Sequence, residues 1–286
     1  MRAYDVISAV QDLRSLDWSE SGQTSASGGT FLKARMGVGA HATYYKLSCY
    51  DSYRGVYGHE CVNELIASRL MELLGVSHVR YTLVHALVRI DGAEHDTWLA
   101  RSKSFRKNGE SKMAFDTFFD LMHEKGESQL DFCQRYGWLE YVQRMLLADY
   151  LIANRDRHGA NIEVLRGKDA ALRLAPLFDN GVSLLFSCYG DLKRVRRFDP
   201  LEDVRANNFI GMRSLEANLA FVPPDLKIQP LDESAREKLL LGLESVLPHE
   251  HREAIWNMIW KRWQHWVELQ TENASRETPR SNTEAR

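Results

Sequence analysis

An apolar stretch from Leu139 to Ile152 stops abruptly at Asn154-Arg155-Asp156-Arg157-His158-Gly159-Ala160-Asn161. Leucines and isoleucines at that density belong in a core, whereas Asn, Arg, Asp and His seldom lie there unpaired. Both demands are met if a core helix hands the chain to a polar loop and the loop to a short strand. Strand candidates at Ile162 to Leu165 and Leu172 to Leu174 follow, with Gly167-Lys168-Asp169 as the turn between them. This order of elements constrains the fold more than any single letter does.

The chain has 286 residues, enough for two ordinary domains or one unit with two lobes. Its 37 Lys and Arg against 39 Asp and Glu leave a net charge of −2. That balance argues against a dedicated nucleic-acid binder, which carries a strongly basic face. No stretch approaches the roughly 18 apolar residues of a membrane span. The start, Met1-Arg2-Ala3-Tyr4-Asp5, lacks the layout of a secretory signal. Cys49, Cys61, Cys133 and Cys188 stand far apart, without metal-ligand spacing. The expectation is a cytoplasmic protein with reduced thiols, no membrane partner and no direct nucleic-acid binding.

The first hundred residues read as strand-rich with one helix. Residues 21 to 30 are small and polar, and strands are expected at Phe31 to Arg35 and about Ala42 to Ser48, around a turn at Gly37-Val38-Gly39-Ala40. From 59 to 74, Val62, Leu65, Ile66, Leu70, Leu73 and Leu74 recur at helical spacing, and Gly75 marks the stop. Two strands, Thr82 to Ile90 and His95 to Lys103, flank the turn at Asp91-Gly92. Residues 104 to 112 look like a connector between lobes. Beyond it the chain is mainly helical, with helices at about 232 to 246 and 249 to 269, then a polar tail from Thr271 expected to be disordered. The fold class is α+β. The lobes are 1–105 and 106–270, and the tail is 271–286.

Phosphoryl transfer gives the loop residues a use. It needs one carboxylate to orient the attacking hydroxyl and take its proton, for which Asp156 is placed. It also needs hard oxygen ligands for Mg²⁺, for which Asn161 and Asp179 are candidates. Upstream, Lys46 on the second hairpin strand and Glu64 on the following helix could form the pair that holds ATP phosphates. Gly28 and Gly29, with Ser27 before them, could bring backbone N–H groups against phosphates, although the loop from Gly22 to Thr30 matches neither standard phosphate-loop pattern. Each of these also has an ordinary reading: a turn, an exposed strand lysine, a solvated glutamate, a mobile loop. Strand counting puts the adenine-binding hinge near Ser102 to Phe105.

With these residues in hand, the chain resembles a HipA-type serine/threonine kinase in a compact form, over roughly residues 20 to 270. The resemblance rests on the Lys46 strand, Asn63-Glu64, D-R-H-G-A-N at 156 to 161 and L-A-P-L-F-D-N-G at 174 to 181. It implies a two-lobed protein-kinase-like fold with a small strand-rich N-lobe and a mainly helical C-lobe, using ATP and Mg²⁺. By position it makes Asp156 the catalytic base, Asn161 and Asp179 the metal ligands and Lys46 the phosphate anchor. Arg157 and His158 are support residues, with a structural role favoured. The implied activity is that of a toxin or regulatory Ser/Thr protein kinase acting on an unidentified protein, with a separately encoded antitoxin or inhibitor as candidate partner. Ser21, Thr24, Ser25, Ser27 and Thr30 stud the phosphate loop. Of these, Ser25, Ser27 and Thr30 are candidates for self-phosphorylation, which would drive the loop from ATP by charge repulsion.

Two other functions stay open: a lipid or small-molecule kinase of phosphoinositide-kinase type, since D-R-H-x-x-N also occurs there, and a catalytically inactive kinase-fold binding module. The run Lys193-Arg194-Val195-Arg196-Arg197 is either a solvated basic turn or part of an activation and substrate segment. Trp256, Trp260, Trp263 and Trp266, at three- and four-residue steps, read as core rather than as a partner or membrane face.

Overall fold

The structure, a computed structural model, describes residues 5–18, 20–22 and 31–277. Ser27, Gly28, Gly29 and the candidate phosphoacceptors Ser25 and Thr30 therefore lie outside the described residues. The N-terminal part carries strands β1 (Val6–Asp12), β2 (Glu20–Gly22), β3 (Phe31–Met36), β4 (Thr43–Leu47), β5 (Tyr50–Asp51) and β6 (Gly55–Val56). Helix α1 (Glu60–Leu74) follows, then β7 (Tyr81–Ile90) and β8 (Ala93–Lys103). Six of these strands form one sheet in the order β1-β7-β8-β4-β3-β2, and β5 and β6 make a separate small hairpin.

Local chemistry explains the elements that the sequence makes plain. Asp91 and Gly92 both adopt positive φ (49° and 83°), the geometry that lets a two-residue turn follow the twist of β7 and β8. Gly75 ends α1 in the left-handed region (φ 72°), its N–H bonding back to Glu72 and Met71 carbonyls. The sheet buries its two faces in different cores. Ala34, Tyr45, Leu47, Val84, Ala86, Val88 and Leu99 pack with Leu16 and Trp18 on one side. Leu83 and Ala100 face α1 and join the main core on the other.

The second part begins with β9 (Ser111–Ala114), which starts in the last two residues of the stretch expected to be a connector, and continues with α2 (Phe115–Met122), α3 (Gln129–Arg135) and α4 (Leu139–Leu151). After the polar loop come β10 (Glu163–Arg166) and β11 (Leu172–Leu174). Strand β10 is central to a three-stranded sheet, antiparallel to both β11 and β9. The basic run 193–197 is not a turn but most of a short helix, α5 (Leu192–Arg197). Its N-terminus is capped by the Asp191 carboxylate, and Val195 is buried beneath it.

Helix α6 covers only Ala235–Leu240, shorter than the expected 232 to 246; the backbone leaves the helix at Leu241 (ψ 126°) and turns at Gly242 (φ 75°). Helix α7 (His249–Glu277) is longer than expected. It carries 271–277 as helix where a disordered tail was expected, and the Thr271 hydroxyl donates to the Val267 carbonyl at 2.9 Å. Trp263 and Trp266 on this helix are buried in the main core, and Trp256 and Trp260 pack partly buried against it. No helix among the described residues is long and apolar enough to cross a membrane.

A buried contact between two imidazole rings is one of the links between the two parts. His59 stands at the N-cap position of α1 without a side-chain capping bond and lies edge-to-face on His251 of α7, ring centroids 4.6 Å apart. Burial pushes the His59 pKa down to about 3, and the neighbouring His251 adds to the effect. In the unfolded chain the imidazole titrates near 6.5, so the native state binds fewer protons below that pH. Stability should therefore hold above about pH 6.5 and fall as pH drops from there toward 3. Chemical denaturation at pH 7 and pH 5 should differ by an amount on the order of 1–2 kcal/mol, and His59→Phe should flatten that slope.

Candidate active site

The site is assembled from two strands, two loops and one helix. Strand β4 pairs antiparallel with β3 so that Lys46 stands opposite Lys33 on the same face of the sheet. Helix α1 supplies Glu64, which is 2% exposed. The Lys46 ammonium lies 2.5 Å from Glu64 Oε1 and 3.0 Å from Asp179 Oδ1. Lys33 reaches the other oxygen of Asp179 at 3.1 Å. The second oxygen of Glu64 accepts the Asn180 N–H at 2.9 Å. A single glutamate thus fixes both the lysine and the backbone that carries Asp179.

The charges are mutually selected. Burial by itself would push the Lys46 ammonium toward neutrality, but Asp179 and Glu64 outweigh it and hold its pKa well above the usual lysine value. Burial would likewise raise the Asp179 carboxyl, yet Lys46 and Lys33 keep it far below the ordinary carboxylate range. Asp179 occupies the left-handed region (φ 59°), which Asp tolerates better than most residues. Asn63 holds the following turn by donating from one amide nitrogen to the carbonyls of Gly181 and Ser183, both at 2.9 Å. At Gly181 there is little room for a side chain, since an added Cβ would stand 3.1 Å from the Cβ of Glu60.

The polar loop after α4 is wired from below. Asp149 and Arg157 are each 1% exposed and form a two-pronged pair, Arg157 Nε to Oδ2 at 2.9 Å and Nη2 to Oδ1 at 2.8 Å. Arg157 also donates to the Phe178 carbonyl at 2.7 Å and to Asn180 Oδ1 at 2.6 Å. Its guanidinium therefore ties α4, its own loop and the Asp179 segment together. Asn154 donates to Asp149 at 2.8 Å and accepts the Asp156 N–H at 3.2 Å. Asn161 donates its amide N–H to the Asp156 carbonyl at 2.7 Å, which fixes the direction of its side chain. Gly159 admits no Cβ, which would come within 2.4 Å of the Asp116 Cβ.

Asp156 itself is 7% exposed. Burial raises its pKa, His158 partly offsets this, and the nearby Asp179 charge raises it further. His158 Nε2 lies 3.7 Å from Asp156 Oδ2, too long for a hydrogen bond. Asp156 is thus a carboxylate held ready to accept a proton more readily than an exposed aspartate would.

A cleft of about 380 Å³ opens between the two parts of the chain and is lined by Lys33, Lys46, Asp179, Asn161 and His158. Ser102, Ser104 and Phe105 line it too, with Phe105 stacked on Phe178 at 5.5 Å. The structure thus brings Lys46, Glu64, Asn161 and Asp179 together, with Ser102 and Phe105 on the same cleft and Asp156 on the loop bordering it. Residues that the sequence reading did not single out are Lys33, Asp149, Asn154 and Asn180. Lys33 could have been found from the hairpin register about Gly37–Ala40. Asp149 had one signal, a lone carboxylate in the apolar run from Met145 to Ile152.

No protein-family model matches this sequence, and no curated protein matches it. Solved structures do match in shape. The proinflammatory kinase CtkA of Helicobacter pylori superposes with a TM-score of 0.62 at 14% identity, covering 94% of this chain and 99% of that one. HipA of Shewanella oneidensis, determined with HipB and operator DNA, matches with a TM-score of 0.42 at 14% identity, over 89% of this chain and 68% of its own. The α+β fold, a strand-rich N-terminal sheet followed by a helical region, is therefore that of CtkA.

The buried Arg157–Asp149 pair allows a direct test of the wiring. Asp149→Leu strands the guanidinium and should cost about 3–5 kcal/mol in urea unfolding. The double variant Asp149→Leu/Arg157→Met should recover much of that loss.

Proposed function

We propose that the protein is an ATP-dependent kinase of HipA type that phosphorylates Ser or Thr hydroxyls of another protein. One observation carries the reading: Lys46 sits between Glu64 and Asp179, at 2.5 and 3.0 Å, in the floor of a cleft shared with Asn161. A fold admits many activities, so the argument rests on these side chains. A scaffold has no need to hold two lysines on one carboxylate and a buried glutamate on one of those lysines.

In this reading Lys46 and Lys33 meet the phosphates of ATP, and Glu64 keeps Lys46 extended toward them. Phe105 and Phe178 offer the apolar faces on which an adenine ring would lie. The donor set suits magnesium bound with a nucleotide. Among the described residues no three His, Cys, Asp or Glu side chains form a metal cluster, so Asp179 and Asn161 would hold the ion with water and phosphate oxygens completing its shell. The bound ion would neutralise charge between the phosphates. Asp156 accepts the proton of the attacking hydroxyl as its oxygen bonds to the γ-phosphorus and the bond to ADP breaks. Its raised pKa keeps that carboxylate basic enough to share the proton during transfer.

Incubation with γ-labelled ATP, Mg²⁺ and host lysate tests the proposal. Wild type should label protein on Ser or Thr. Asp156→Asn should lose about 10²–10⁴ in rate, and Asp179→Ala should be silent. Label appearing in lipid or small molecules instead would redirect the assignment to that class. Mg-ATP that neither binds nor is consumed would end it. The pH profile should rise on its acid side as Asp156 ionises, with a midpoint above that of an ordinary aspartate.

A further inference from the structure

A second cavity, of about 560 Å³, shares no lining residue with the nucleotide cleft. It lies among the first turn of α1, the middle of β8, residues 189–192 and the turn that leads into α7. His59 and His251 line it, and each is 3% exposed. Both ring nitrogens of His59 and Nε2 of His251 have no hydrogen-bond partner among the described residues. Buried polar atoms in folded proteins are nearly always paired. Three orphans on the walls of one cavity are best explained by something that enters the cavity and pairs with them.

The remaining walls narrow the chemistry. Trp98, Val246 and Leu247 give apolar surface. No Lys or Arg lines the cavity, whereas Asp96, one oxygen of which meets His85 Nε2 at 2.5 Å, and Asp191, one oxygen of which caps α5, do. Burial lowers the pKa of both imidazoles, so they face the cavity uncharged. A phosphate or carboxylate would find no cation there. A neutral or cationic molecule with N–H groups would find acceptors and, at the rim, negative charge.

We propose that this cavity is a binding site for a small organic amine or amidine whose apolar or aromatic body packs on Trp98 and Val246–Leu247 and whose N–H groups bond to His59 and His251. Occupancy would join the start of α1 to the 189–192 segment and to α7. Glu64, which holds Lys46, lies on the next turns of α1 after His59. The ligand therefore couples to the nucleotide cleft, and the coupling is reciprocal. The coupling rests on the kinase reading above; the binding itself does not.

Benzamidine and benzoate share a shape and differ in charge and donors, which makes them the probes. Calorimetric titration of the full chain at pH 7.5 should give saturable binding of benzamidine and none of benzoate. His251→Phe and Asp191→Asn should each weaken benzamidine about tenfold, the loss expected for one hydrogen bond or its charge-assisted equivalent. His251→Phe replaces an unpaired ring by an apolar one of similar shape, so its fold should survive, and an unchanged melting temperature checks this. Absent saturation, equal binding of benzoate, or full affinity in a folded His251→Phe each overturns the site. An Mg-ATP affinity unchanged by saturating benzamidine overturns the coupling, while failure to bind Mg-ATP with benzamidine binding intact overturns only the kinase reading.

Discussion

A largely buried ammonium between two carboxylates organises this molecule. Lys46 could not stay charged at its depth without Glu64 and Asp179, and neither carboxylate would be stable there without a cation. Tertiary structure has to deliver the three from a strand, a helix and a loop to within hydrogen-bond distance. Once it does, much else follows. Glu64 holds the Asn180 amide with its second oxygen, and Asn63, one residue before it, holds the next turn through the Gly181 and Ser183 carbonyls. Helix α1 is therefore both a core element and a frame for the charged site.

The second organising contact is Arg157 with Asp149. Both are removed from solvent, and such pairs contribute less to stability than to fixing a unique arrangement. Here the planar guanidinium has enough donors to join α4, the loop with Asp156 and the segment before Asp179 at once. Positioning of that quality is what the proposed phosphoryl transfer would ask of the chain, since such chemistry leaves little else to do than orient groups and stabilise charge. The same economy explains Gly159, where the backbone runs too close to Asp116 for a Cβ, and Gly181, where a Cβ would crowd Glu60.

Legibility in the sequence followed the range of the interactions. Helix α1 and the β7–β8 hairpin were readable because their causes are local: apolar spacing, Gly75, and Asp91-Gly92. Strand β9 was not, because Ser111-Lys112-Met113-Ala114 has no strand pattern of its own and is extended only because β10 pairs with it. Strand β1, mostly exposed and parallel to β7, was hidden for the same reason. Helix α6 was overextended because its apolar spacing continues past Gly242, where the backbone turns. Asp156, Asn161 and Asp179 stood out as polar residues at the ends of apolar elements. Lys33 did not, since a lysine on a strand is ordinary until its partner across the sheet is known.

The sequence by itself determined which residues are able to carry charge chemistry and which local elements present them, because helical period, turn residues and abrupt changes in polarity act over a few positions. Only the tertiary structure decided that Lys33 shares Asp179 with Lys46, that Arg157 is buried against Asp149, and that His59 meets His251. The charged groups among them attract weakly in water and strongly once the surrounding core has excluded it, whereas His59 and His251 meet as packed, uncharged rings. No reading along the chain can tell which charges the core will exclude water from.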